Sequence, residues 1–132
     1  MSQFFGHIVL NVRNFEKCYN FYTVALKMEV LLTHKGDGHP DWALLQLGEL
    51  RMALHANYEG APLSGVMPVC LNFFVDDMPT TLSLISEHGG IITARPQEYD
   101  FRPTQPVMAL FGKFKDPHGH EHYLVKETRR LT

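Results

Sequence analysis

Phe5-Gly6-His7-Ile8-Val9-Leu10-Asn11-Val12, followed by Asn14 and a helix-like run, returns as Pro68-Val69-Cys70-Leu71-Asn72-Phe73-Phe74-Val75, followed by Asp77 and another such run. The step from position 7 to position 70 is 63 residues, close to half of the 132-residue chain. A period that halves the chain means one supersecondary unit used twice. It also sets His7 against Cys70.

Working outward from the first copy, Ile8, Leu10 and Val12 alternate with His7, Val9 and Asn11, which predicts a strand with one apolar and one mixed face. Asn14 is placed to cap a helix in which Phe15, Cys18, Tyr22 and Ala25 or Leu26 recur at helical spacing up to about Lys27. Strands are expected over residues 28–33, 42–47 and 51–56, divided by a polar, Gly-containing stretch at 34–40 and by a turn at Gly48-Glu49. The second copy runs the same way. A strand over 69–75 leads to Asp77 as cap, Pro79 in the first turn, a stripe of Met78, Leu82 and Ile85, and a stop at Gly89-Gly90. Strands follow at 90–94, 107–114 and 121–126, with a Pro-rich loop at 95–106 that the first copy lacks. The reading is an α+β chain of two βαβββ modules forming curved mixed sheets around a cleft. It is one domain, with module 1 at about 4–57, a linker at 58–67 and module 2 at about 68–127.

The composition narrows the function classes. A hydrophobic fraction of 45% in 132 residues suffices for one packed core. Twelve basic against fourteen acidic residues, with no block of like charge to follow a phosphate backbone, argue against nucleic acid. The start has no signal-peptide pattern and no stretch has the length of a membrane span, so a cytoplasmic protein without membrane contact is expected. Two cysteines make neither a disulfide framework nor a Cys-x-x-Cys pair and are expected to be reduced thiols.

The His7-Ile8-x-Leu10-x-Val12 opening, the Phe21-Tyr22-Thr23-x-x-Leu26 helix end, Phe73-x-Val75-Asp76-Asp77 and the Asp116-Pro117-x-Gly119 turn together resemble the vicinal oxygen chelate superfamily. That group includes glyoxalase I, fosfomycin-resistance enzymes, extradiol dioxygenases and bleomycin-resistance proteins. The resemblance covers residues 4–127. It implies paired modules around a cavity, often in a homodimer, and in metal-dependent members a divalent ion held at four strand positions, commonly by His or Glu. Those positions fall here at His7, Ala53, Cys70 and Tyr123. Ala53 offers no donor, a neutral phenol is a poor one, and a thiolate favours softer metals than carboxylate sites do. No metal and no cofactor are therefore expected.

Strand alternation assigns the cleft face without the resemblance. It puts His7 and Asn11, Arg51 and His55, Cys70, Asn72 and Phe74, and Tyr123 on the side away from the helices. With Trp42, which is either an aromatic wall or core packing, and Arg102 as a second cation on a loop expected to act as a lid, these are the candidate ligand-binding residues. Tyr99 and Phe101 are either further walls or loop packing. His7 is either a hydrogen-bonded buried histidine or a ligand contact, and Cys70 either a small hydrophobe or a contact. His118, His120 and His122 are expected at the surface or facing the helix, and Cys18 in the core.

The expected function is binding of a small aromatic or amphipathic anionic ligand without metal, in a homodimer. The alternatives are a metal-dependent lyase, dioxygenase or thiol transferase, and a regulatory module with a vestigial cleft. Catalytic residues are not identified by the sequence.

Overall fold

The computed structural model describes residues 7–36, 38–56, 70–102 and 106–131. The expected linker at 58–67 and residues 103–105 of the expected lid lie outside them. The chain divides into two compact units, residues 1–64 and 65–132. Among the described residues no helix is long and apolar enough to cross a membrane.

The first unit contains β1 (Ile8–Val12), α1 (Phe15–Asn20), β2 (Glu29–Gly36), β3 (His39–Leu47) and β4 (Leu50–Ala56). The second contains β5 (Asn72–Phe74), α2 (Met78–Glu87), β6 (Ile91–Asp100), β7 (Val107–Lys115) and β8 (Glu121–Arg130). Each unit is βαβββ, and each builds a four-stranded mixed sheet that does not close on itself. The orders are β1-β4-β3-β2 and β5-β8-β7-β6. In both, the first strand pairs parallel with the last and the other pairings are antiparallel.

The duplication extends to the caps. Asn14 Oδ1 accepts from Lys17 N at 3.1 Å, and Asp77 Oδ1, 63 positions on, accepts from Thr80 N at 3.1 Å. Each cap satisfies a donor that the first helical turn leaves without an intrahelical partner. After Asn20 the first helix widens into one π-helical turn, Phe21–Ala25, which carries Phe21, Tyr22 and Ala25 into the core. The second helix stays regular and ends where Gly89 takes a φ of 91°, a left-handed conformation that glycine adopts without a Cβ clash.

The helix-side core follows the alternation. In the first unit Leu10, Val12, Met52 and Leu54 are buried, as are Phe15, Cys18 and Tyr22; in the second, Phe73, Phe114, His122 and Leu124 are buried, as are Met78 and Ile85 of α2. Cys18 is a buried free thiol, as expected.

Two expectations are corrected. The stretch at 34–40 is not a long loop, because β2 runs to Gly36 and β3 begins at His39. Residues 95–100 are not a lid either, since they continue β6 to Asp100. Register shifts between Ile92 and Ala94 and between Ala94 and Gln97 leave Arg95 and Pro96 out of the ladder, which is how a strand tolerates a proline that has no N–H to donate. Gly112 on β7 makes room for this bulge. A Cβ there would stand 3.0 Å from both Ala94 O and Pro96 Cγ.

Candidate functional site

Each sheet packs its helix on one face and carries on the other the sequence-predicted residues Asn11, Trp42, Arg51 and His55 in the first unit and Asn72, Phe74 and Tyr123 in the second. In the first unit the register sets three transverse rows on that open face. Asn11 pairs with His55, His55 with Trp42 and Trp42 with His34, giving a polar and aromatic row across all four strands. Val9, Ala53, Leu44 and Leu32 form the next row, and Arg51, Gln46 and Glu29 the one beyond. Arg51 is thus four residues along β4 from His55, roughly 13 Å at strand rise. It is exposed and makes no ion pair among the described residues. His7, just before β1, is exposed too.

The first row is held by hydrogen bonds. His55 Nδ1 lies 3.1 Å from Asn11 Oδ1, and His34 Nδ1 lies 2.8 Å from Asp41 Oδ1. An amide or carboxylate oxygen only accepts, so in each histidine Nδ1 carries the proton and donates. Beside them is an open hollow of about 540 Å³ lined by Leu32, Thr33, His34, Asp41, Trp42 and His55.

In the second unit the open face is aromatic. Asn72 and Lys113 flank Tyr123 in register, and Phe74 and Phe111 flank Val125. Phe111 and Tyr123 have ring centroids 5.0 Å apart, and Tyr99 and Phe101 pack on Phe111 at 6.1 and 6.3 Å. Lys113 Nζ sits 5.6 Å from the Tyr123 centroid, within cation–π range. The hydrogen bond that the Tyr123 hydroxyl shares with Cys70, together with the charge on Cys70, holds the phenol above its ordinary pKa; burial and Glu121 act in the same direction. Cys70 itself is a half-buried free thiol. Arg102 is engaged locally. It forms a bidentate pair with Asp100, Nη2 to Oδ2 at 2.6 Å and Nε to Oδ1 at 3.0 Å, which lowers the Asp100 carboxyl to about 2.

The structure therefore joins Asn11, His55 and Trp42 in one unit, and Cys70, Tyr123 and Asn72 in the other, and leaves Arg102 committed to Asp100. His34, Asp41, Phe111 and Lys113 were missed. His34 lies in the stretch 34–40 read as a divider and Asp41 between it and the strand expected from 42, and the last two face the same side as Tyr123 by alternation on β7, a signal the sequence did offer.

Of the three clustered histidines, His122 is fully buried on the helix side, as the alternation allowed. Its Nδ1 accepts from Leu71 N at 3.2 Å, and its ring packs on Phe73 and Phe114 at 5.6 and 5.5 Å. Burial pushes its pKa down to about 4, with His120 acting the same way and Asp116 and Glu121 opposing. His118 and His120 stack on each other at 4.6 Å over a turn whose amides donate to Asp116 Oδ1.

The four positions at which the resemblance implies metal ligands can be tested on this register. Ala53 pairs with Val9 and Tyr123 pairs with Asn72, 63 residues after Val9, so positions 53 and 123 are structural equivalents. Ala53 is fully buried and has no donor atom, and the Tyr123 hydroxyl is bonded to Cys70. This donor set does not fit the three-ligand nitrogen and oxygen site that a divalent ion requires.

Comparison with known proteins agrees with the architecture. No curated protein matches the chain. Among solved structures, it is similar to a glyoxalase/bleomycin resistance protein/dioxygenase family enzyme from Burkholderia phytofirmans PsJN, at 14% identity and a TM-score of 0.72, over 92% of this chain and 97% of that one. It is similar to the fosfomycin resistance protein FosX from Mesorhizobium loti, at 15% identity and a TM-score of 0.67, over 97% and 95%. An integron cassette protein from Vibrio cholerae is 21% identical with a TM-score of 0.62, over 96% of each chain. These likenesses establish the shared fold. The duplicated βαβββ units and a match of residues 4–122 to the family model together place this chain in the Glyoxalase/Bleomycin resistance protein/Dioxygenase superfamily.

Proposed function

We propose that this member of the superfamily binds a small aromatic or amphipathic anionic molecule on the open faces of its sheets, without a metal. The observation that carries the reading is position 53, where a fully buried alanine stands at the structural equivalent of Tyr123. What the second unit's face offers instead is aromatic surface in Phe111 and Tyr123 beside Asn72; the first unit's face offers aromatic surface in Trp42, hydrogen-bonding groups in Asn11 and His55, and in Arg51 a cation without an ion pair among the described residues. That combination suits a planar body bearing a carboxylate or similar group. The alternative, a metal-dependent lyase, dioxygenase or thiol transferase, draws on His7 and on the fold shared with the fosfomycin resistance protein. It requires donors that positions 53 and 123 do not supply.

Val9, Leu32 and Phe74 are 51%, 60% and 58% exposed on these faces. So much apolar area supports a homodimer, in which a second copy would cover part of it. Free thiols at Cys18 and Cys70 are in keeping with a cytoplasmic location.

The test is a thermal-shift screen of aromatic acids and amphipathic drugs, with metal analysis of untagged protein. Expected are anionic hits, no stoichiometric divalent ion, and a loss of affinity of several-fold to about a hundredfold in Arg51→Ala, since a charged hydrogen bond contributes about 1.5–3 kcal/mol. Only neutral hits, or indifference to Arg51→Ala, would overturn the ligand class. A tightly held ion would overturn the metal-free reading, and a monomer at micromolar concentration the dimer.

A further inference from the structure

The bulge in the β2–β3 hairpin has a chemical consequence. His34 pairs with Trp42 and Lys35 pairs with Pro40, so Asp41 is the extra residue on β3. A bulge re-aims the side chain it frees. Here it brings Asp41, which strict alternation would send to the helix side, to His34 on the open face, with Oδ1 2.8 Å from Nδ1. Gly36 keeps the room for it, because a Cβ there would meet Asp41 Oδ2 at 2.5 Å. His34 and His55 thus flank Trp42 in one transverse row, each anchored through Nδ1, one by a carboxylate and the other by the Asn11 amide.

Anchoring fixes the tautomer. A neutral imidazole that donates through Nδ1 presents the lone pair of Nε2 as an acceptor, so the row reads acceptor, indole, acceptor. The strands carrying the two histidines lie roughly 10 Å apart, two inter-strand spacings. That is the span of one aromatic ring with a hydrogen bond at either edge.

Resting on the ligand-binding reading of this face, we infer that the Leu32–Trp42–His55 hollow is a subsite for a planar ring carrying O–H or N–H donors on two edges. The ring lies against Trp42, and its donors bond to Nε2 of His34 and of His55. The subsite selects for hydrogen-bond donors, whereas Arg51, two rows away, selects for charge. A complete ligand of the proposed class is then a phenolic or amino-substituted aromatic whose anionic group extends along β4.

Trp42 is the only tryptophan in the chain, so its fluorescence reports on this hollow alone. The probes are resorcinol, its dimethyl ether and benzoate, titrated into the full chain by fluorescence and calorimetry. Resorcinol is expected to quench Trp42 saturably and to bind at least tenfold more tightly than the ether. His34→Ala and His55→Ala should each weaken resorcinol about tenfold. Asp41→Asn, which keeps the side-chain size but removes the charge anchoring His34, should weaken it several-fold. All three positions are on the open face, and an unchanged melting temperature will verify folding. Equal binding of the ether, linear unsaturable quenching, or indifference to both histidine substitutions overturns the subsite. Benzoate separates this from the broader reading: if it binds in an Arg51-dependent way while resorcinol fails, only the subsite is wrong. If resorcinol behaves as expected and benzoate does not bind, the anionic class is wrong and the subsite stands.

Discussion

Met52 and His122 occupy equivalent positions in the two units, each one residue before the pair Ala53 and Tyr123, and both are fully buried on the helix side. One is a thioether that needs no partner. The other is an imidazole that takes a hydrogen bond from Leu71 N and is kept neutral by its surroundings. On the opposite face the contrast continues. Ala53 is inert where Tyr123 brings a hydroxyl, His55 is polar where Val125 is apolar, and Asn11 stands where the second unit has Phe74. The repeated backbone sets which positions face which side, and the chemistry at each position has diverged. The same scaffold can therefore present a hydrogen-bonding face in one unit and an aromatic one in the other.

The strongest test of equivalence lies in the cores. Leu54 and Leu124 are both fully buried at matching points, and replacing either by alanine should cost about 2–5 kcal/mol, measured by guanidinium unfolding. Similar losses would sharpen the parallel; a loss below about 1 kcal/mol at one site would show a core that closes over the cavity and would break it.

The pH dependence should belong to the second unit. His122 titrates at about 4 when folded against an ordinary 6.5, so the unfolded chain takes up the proton first. Stability should be insensitive to this group above pH 6.5 and should fall by about 3 kcal/mol between 6.5 and 4. In His122→Met, which transplants the residue of the first unit, that slope should vanish. A slope that survives would assign it to other groups, of which Asp116, His120 and Glu121 are the nearest.

Smaller effects are expected at the caps. Asn14→Ala should cost about 1 kcal/mol in thermal unfolding. Asp77→Ala should cost more, because the Thr80 hydroxyl also donates to Asp77 Oδ2 at 2.8 Å. The reverse order would mean that α1, through its π-helical turn, depends more on its cap than the regular α2. Least of all, Arg102→Ala should leave the unfolding midpoint unchanged, since its pair with Asp100 is solvent-exposed.

The duplication was legible because backbone pairing repeats with it. His7 to Val12 and Cys70 to Val75 carry the alternation that fixes a strand's two faces, and Asn14 and Asp77 are cap residues at a shared offset. The open-face assignments of Arg51, His55, Asn72 and Tyr123 followed from that period alone. The reading failed where period two is interrupted. The bulges at Asp41 and at Arg95-Pro96 made strand look like loop, so His34 and Asp41 went unnoticed and a lid was drawn where β6 continues.

The sequence by itself determined the two βαβββ units, their caps, the buried stripes and the side on which each strand residue stands, because these depend on periodicities of the local backbone. Tertiary structure decided the rest. Which residues share a transverse row depends on register, which a bulge shifts within a hairpin and which joins strands far apart in the chain where β1 meets β4 and β5 meets β8. Pairing of distant strands anchors His55 on Asn11 and bonds Tyr123 to Cys70, and the hairpin bulge brings Asp41 to His34, whereas Arg102 meets Asp100 two residues away.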